Sequence, residues 1–159
     1  MIIREIHTNE MGFLKEMLYE ALYVRENEPP FDRNIVDTPE LSKYISQWGR
    51  QENDVALVAE KEGVLIGAIW GRTFKPPRTG YGFVNETTPE LTMALKNAYR
   101  NQGIGSRLLD GIAKYYSKKG ISALSLSVDK QNAARRLYER KGFLFFADVG
   151  TAVTLMKVL

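Results

Sequence analysis

The run Arg100-Asn101-Gln102-Gly103-Ile104-Gly105 leads directly into Ser106-Arg107-Leu108-Leu109-Asp110-Gly111-Ile112-Ala113, which has the pattern of an amphipathic helix. A glycine-rich turn at a helix start gathers unpaired backbone N–H groups at the positive end of the helix dipole. That arrangement holds phosphate or pyrophosphate. Gly103 and Gly105 permit positive φ and close approach of a ligand, and Arg100 adds a cation beside them. A dinucleotide fingerprint would need a third glycine where Leu108 stands, and a Walker A loop would need Gly-Lys-Ser/Thr, which is absent. The plain alternative is a helix start whose glycines only turn the chain.

A second block argues against the plain alternative. Asn132-Ala133-Ala134-Arg135-Arg136-Leu137-Tyr138-Glu139-Arg140-Lys141-Gly142-Phe143 follows an alternating strand-like run, Ala123–Val128. Gly142 stands where a helix C′ glycine belongs, after basic Arg140 and Lys141. The first block matches an Arg/Gln-x-x-Gly-x-Gly/Ala signature. The second matches Asn-x-x-Ala-x-x-Leu-Tyr-x-x-x-Gly-Phe, with Arg135 in place of the alanine. In this order and about thirty residues apart, the two resemble the GNAT superfamily of acyl-coenzyme A-dependent N-acyltransferases. The likeness is good over roughly residues 55–143 and weak over the first fifty.

Several elements must position these blocks. Ile2, Ile3 and Ile6 suggest a first strand, and Leu14, Met17, Leu18, Ala21 and Leu22 line one face of a helix from about Asn9 to Val24. Thr38-Pro39-Glu40 has the grammar of a helix start. Leu41, Tyr44, Ile45 and Trp48 then continue a helical stripe to Gly49. Val55–Glu60 and Val64–Thr73 read as a hairpin through Lys61-Glu62-Gly63. Thr88-Pro89-Glu90-Leu91 repeats Thr38-Pro39-Glu40-Leu41, and Leu91, Ala94, Leu95 and Ala98 keep helical spacing, so local grammar predicts a helix there. The family resemblance instead implies a strand over Glu90–Lys96 leading into the phosphate loop, with Asn97 in place of the usual proline. The expectation is therefore the strand.

The resemblance implies an α/β (α+β) fold over residues 1–159 as one N-acetyltransferase domain, with a mixed, mostly antiparallel central sheet flanked by helices. It further implies acetyl-coenzyme A as co-substrate, no metal, and direct attack by an amine with no acyl-enzyme. Ala94 and Leu95 would supply backbone contacts to the pantetheine arm. Gln102, Gly103, Ile104, Gly105 and Ser106 would hold the pyrophosphate, Arg100 would add its charge beside them, and Asn101 and Asn132 would also contact the cofactor. A backbone N–H near Leu95 would polarise the thioester carbonyl. Tyr138 would act as general acid toward the departing thiolate, a near-balanced transfer for a phenol of ordinary pKa, about 10. Glu90 would deprotonate the amine, directly or through water, with Glu86 as the fallback. An ordinary core tyrosine and a capping or solvated carboxylate are the competing readings of Tyr138 and Glu90.

The composition sets limits on function. Zero cysteines exclude disulfides and a thiol nucleophile, and a single histidine, His7, argues against a histidine zinc site or a Ser-His-Asp triad. No apolar run is long enough to span a bilayer, and the first residues do not resemble a signal peptide, so the expectation is a cytoplasmic protein. Residues 1–50 carry six Lys/Arg against nine Asp/Glu, whereas 96–141 carry eleven against three. That basic stretch suits a polyanion such as coenzyme A. A nucleic-acid reading rests on Lys114, Tyr115, Tyr116, Lys118 and Lys119, and is weakened because Tyr116 falls on the apolar face of its helix. Tyr19, Tyr23, Phe31, Tyr44 and Trp48, with Glu20, Glu26, Glu28, Asp32 and Asp37, suggest an aromatic, acidic wall for a cationic small-molecule or peptide amine. Core aromatics and solvated acids are the alternative. A non-catalytic acyl-coenzyme A sensor and a homodimer are both compatible with the sequence.

Overall fold

The computed structural model describes residues 1–159. Seven strands form one sheet in the order β1-β2-β3-β4-β5-β7-β6. They are β1 (Ile2–Glu5), β2 (Val55–Lys61), β3 (Val64–Arg72), β4 (Glu90–Leu95), β5 (Ala123–Asp129), β6 (Leu144–Val149) and β7 (Ala152–Val158). Every neighbouring pair is antiparallel except β4 and β5, which run parallel. The helices are α1 (Met11–Glu20), α2 (Pro39–Ser42), α3 (Ile104–Lys118) and α4 (Ala134–Arg140). No helix is long and apolar enough to cross a membrane.

Strand β2 is buried on both faces, and its alternation divides the core. Val55, Leu57 and Ala59 pack with Leu108, Ile112 and Tyr116 of α3, while Ala56 and Val58 pack with Leu14, Met17 and Leu18 of α1. Complete burial of a side chain such as Leu108 or Ile112 contributes about 2 kcal/mol by transfer alone. The β2–β3 hairpin turns on two residues, Glu62 and Gly63, both at positive φ (52° and 78°), as a twist-matched two-residue turn requires.

The first two predicted helices are shorter than their periodicity suggests. Residues 8–10 form a 3₁₀ turn before α1, and α1 stops at Glu20. The second spans only Pro39–Ser42 and gives way to turns, although Leu41 and Tyr44 of its stripe are buried. Residues 90–95 are a strand despite their helical spacing. Six consecutive pairs with β3, from Arg72↔Glu90 to Gly67↔Leu95, outweigh the local preference.

The site depends on where one ladder stops. Strands β4 and β5 pair only at Glu90↔Ser125, where the Ser125 N–H donates to the Pro89 carbonyl at 3.0 Å. Beyond that pair the two strands separate. On the other side, the Lys96 N–H donates to the Ile66 carbonyl at 2.9 Å. Because backbone groups alternate along a strand, Glu90, Thr92 and Ala94 face β3, whereas Met93 and Leu95 present theirs to the opening.

Candidate active site

The opening between β4 and β5 is part of a cleft of about 1350 Å³. Its lining includes Glu90, Met93, Ala94, Leu95, Arg100, Asn101, Gly103, Ile104, Gly105, Ser106, Asn132 and Tyr138. Sequence blocks far apart in the chain therefore meet around one volume. Gln102 is not on that wall, and its side chain donates to the Ala98 carbonyl at 3.1 Å. Ala94 also differs from expectation, because its carbonyl faces Gly67 of β3. Met93, which sequence reasoning passed over, takes its place beside Leu95. The signal for Met93 was strand alternation, which becomes usable only once the pairing partner is known.

The phosphate-loop geometry follows from its residue types. Asn101 and Gly103 adopt positive φ (62° and 81°), and Gly103 has no atom near the position a Cβ would take. The first intrahelical bond is Arg107 N–H to the Gly103 carbonyl at 3.3 Å, and the amides of residues 102–106 donate to nothing in the protein. Five consecutive free N–H groups at a helix start form an anion cradle. Gly105 has a second reason to be glycine, since a Cβ there would lie 3.2 Å from both Leu137 and Met93. The Arg100 Nε donates to the Leu95 carbonyl at 3.3 Å, and its guanidinium lies 3.5 Å from the Glu20 carboxylate. Farther along the cleft, Arg136 and Arg140 form no ion pair, while Lys141 pairs with Asp110 at 2.9 Å.

Helix α4 is built as its sequence suggests. The Asn132 side-chain oxygen, which sequence reasoning assigned only to the cofactor, accepts the Ala134 N–H at 2.9 Å in the turn that leads into the helix. Gly142, at φ 92°, ends the helix, and the Phe143 N–H reaches back to the Tyr138 carbonyl at 3.0 Å. Tyr138 is half-buried, edge-on to Phe143 at 6.1 Å between centroids, and its hydroxyl makes no hydrogen bond within the protein. Burial pushes its phenol up to about 12. The ring therefore packs as a core tyrosine while the residue also lines the cleft.

Glu90 lies at the other end of β4 and is 4% exposed. Burial raises its carboxyl to about 6, opposed by the Tyr44 hydroxyl, the Gly82 backbone at a geometry short of a hydrogen bond, and the Lys43 charge. Tyr44 donates to Glu90 Oε2 at 2.8 Å and accepts the Tyr81 N–H at 2.7 Å. No local pattern announced Tyr44 as the partner of Glu90. Glu86 is exposed and lies off the cleft wall.

The expected aromatic, acidic wall is aromatic but not acidic. Tyr19, Tyr23, Phe31, Tyr44 and Tyr81 line the cleft, whereas Trp48 lies under the Arg72 guanidinium at 5.0 Å. Glu26, Glu28, Asp32 and Asp37 are off the wall, and Asp37 pairs with Lys15 at 2.7 Å. The carboxylates that do line it are Glu20, facing Arg100, Asp129, held by Arg25 at 3.2 Å, and Glu90. Tyr116 of the suggested nucleic-acid stretch is fully buried, with its hydroxyl on the Asn53 carbonyl at 2.7 Å.

The sequence model of the acetyltransferase (GNAT) family matches residues 15–143. The structure is similar to a ribosomal-protein-alanine N-acetyltransferase from Brucella melitensis, with TM-score 0.70, 21% identity and both chains covered in full. It is also similar to the PaiA N-acetyltransferase from Thermoplasma acidophilum in complex with coenzyme A, with TM-score 0.71 and 22% identity over 99% of this chain and 98% of that one. A third is an acetyltransferase of the GNAT family from Streptococcus pneumoniae, with TM-score 0.67 and 20% identity over 99% of each chain. No curated protein matches the chain. The matched residues span most of the chain, from α1 through the glycine loop to the end of α4, so the protein belongs to the GNAT acetyltransferase family.

Proposed function

We propose that the protein is an N-acetyltransferase that moves an acetyl group from acetyl-coenzyme A to a primary amine. The observation that carries this reading is the junction of two features in one cleft. A strand edge with free backbone groups at Met93 and a free N–H at Leu95 leads into a loop with five free amides. The first suits an extended amide-bearing arm, and the second suits a pyrophosphate. Arg136 and Arg140, without ion pairs, suit a further phosphate. Asn132 completes that wall.

Bound acetyl-coenzyme A would supply an activated acyl group. The Leu95 N–H is the donor best placed to polarise its carbonyl, since the Leu95 carbonyl is engaged by Arg100. Glu90 takes up the proton of the acceptor amine. Tyr138 donates toward the departing sulfur. A phenol at about 12 is a weaker acid than a thiol of ordinary pKa, and complete transfer from the buried phenol to a thiolate of ordinary, solvated pKa would be uphill by about 5 kcal/mol. The desolvation that raises the phenol also raises a thiolate held beside it, so the gap narrows inside the cleft. The aromatic wall and the shortage of free carboxylates favour an amine on an apolar or aromatic body over a polycation.

The test is free-thiol release from acetyl-coenzyme A with spermidine, an aminoglycoside, 2-phenylethylamine and an alanine-initiated peptide. Turnover on at least one amine is expected, with 2-phenylethylamine or the peptide ahead of spermidine. A rise in melting temperature with acetyl-coenzyme A but no turnover on any amine would make the protein a sensor. A shift with single-stranded DNA and none with acetyl-coenzyme A would overturn the reading.

A further inference from the structure

Glu90 lines the cleft but is only 4% exposed, and each of its oxygens is covered on at least one side. Oε1 is buried without a hydrogen-bond partner and lies under Gly80, where any Cβ would collide with it. Oε2 is covered by the Tyr44 hydroxyl at 2.8 Å. The same hydroxyl accepts the Tyr81 N–H at 2.7 Å. A carboxylate only accepts and a backbone N–H only donates, so the Tyr44 proton must point at Oε2. One acceptor position then remains on the Tyr44 oxygen. Tyr44 and Tyr81 line the cleft, and the Tyr44 ring is held edge-on to Phe74 at 5.3 Å and stacked on Tyr81 at 6.4 Å.

From this geometry we infer that Tyr44 is a catalytic proton relay, the group that touches the acceptor amine and passes its proton to Glu90. The inference rests on the reading of Glu90 as the proton acceptor. In the step, the amine N–H bond breaks and an O–H bond forms at Tyr44. The original Tyr44 proton moves to Glu90 Oε2, the carboxylate becomes a carboxylic acid, and Tyr44 ends neutral as it began. Burial and the neighbouring Glu90 carboxylate push the Tyr44 phenol far above its ordinary value, so a free phenolate does not form. The two protons must therefore move together.

The experiment is single-turnover acetyl transfer to whichever amine of the panel above releases thiol fastest. Tyr44→Phe keeps the ring and its packing and removes only the relay oxygen. It should lower the rate roughly 10²-fold, the scale of general acid–base catalysis, with acetyl-coenzyme A affinity unchanged. Glu90→Gln should cause a similar loss, and the double variant should be no slower than the worse single one. On the unmodified protein, the rate in mixtures of light and heavy water should curve as expected for two protons in flight. That measurement stands even if Tyr44→Phe does not fold. A linear dependence, or Tyr44→Phe within about threefold of the parent while Glu90→Gln is lost, would overturn the relay and leave Glu90 as the base. Full activity in Glu90→Gln would overturn the underlying reading instead.

Discussion

Burial shifts Tyr138 and Glu90 in the same direction, yet with opposite consequences for their chemistry. A phenol raised to about 12 stays protonated through the working range, so its ionisation should leave no basic limb in the rate profile below pH 10. Tyr138→Phe keeps the contact with Phe143 and removes only the donor. Turnover should fall roughly 10²–10³-fold with acetyl-coenzyme A affinity nearly unchanged, whereas near-normal turnover would leave Tyr138 as packing. A carboxyl raised to about 6 is ionised at neutral pH and should give kcat/KM an acid limb with its midpoint near pH 6, which Glu90→Gln should abolish. The same shift has a cost in stability. The native state binds this proton more tightly than the unfolded chain does. The associated stability is therefore complete below about pH 4.5 and lost, to about 2 kcal/mol, as pH rises through 6. Glu90→Gln should accordingly melt higher than the parent at pH 8 and similarly at pH 4, as read by calorimetry.

At the scale of elements, the loop before α3 and the end of β4 work as one unit. Gly103 is open to solvent but left-handed, so Gly103→Val should block an anion and strain the turn while leaving the core intact. Acetyl-coenzyme A titration should show at least tenfold weaker binding with only a small drop in melting temperature. Gly105→Val should differ, because its side chain would enter the space occupied by Leu137 and Met93, and stability and binding should fall together. Arg100→Ala should weaken binding more modestly and reduce its salt dependence, since it removes one cation that faces Glu20 and frees the Leu95 carbonyl. An equal affinity at low and high salt in the parent protein would count against a phosphate role for this end of the cleft.

Across the whole molecule, the Glu90 end of the cleft is anchored by a buried ion pair. The Arg72 side chain, 2% exposed, meets Asp54, 0% exposed, through Nε and Nη2 at 2.9 Å each, donates to the Lys43 carbonyl at 2.8 Å and stacks on Trp48. Arg72 is also the β3 partner of Glu90, so this contact links the segment before β2, the turn after α2 and the start of β4. Asp54→Ala would leave the guanidinium buried without its counter-ion and should cost about 3–5 kcal/mol in urea denaturation. A second tie crosses the cleft, where Arg25 holds Asp129 of β5 and Tyr23 donates to the Gln131 carbonyl at 3.2 Å. These contacts hold the segment after α1 against the strand on the far side of the opening.

The features that depend on near neighbours were readable in the sequence. The left-handed glycine at 103, the free amides of a helix start and the Gly142 terminus are set by backbone sterics within a few residues. So is the apolar stripe of α3 that buries Tyr116. Residues 90–95 show where local information fails, since their spacing is helical and only the ladder with β3 makes them a strand. The opening itself is a matter of tertiary structure. It exists because the parallel ladder ends after one pair, and the register with β3 decides that the backbone groups of Met93, not those of Ala94, open to the cleft. The pairing of Tyr44 with Glu90 across 46 residues, the removal of Trp48 from the wall to carry Arg72, and the neutralisation of Glu20 and Asp129 by arginines likewise follow from folding. No local pattern encodes which distant side chain fills a buried carboxylate's hydrogen bond. Packing chooses it.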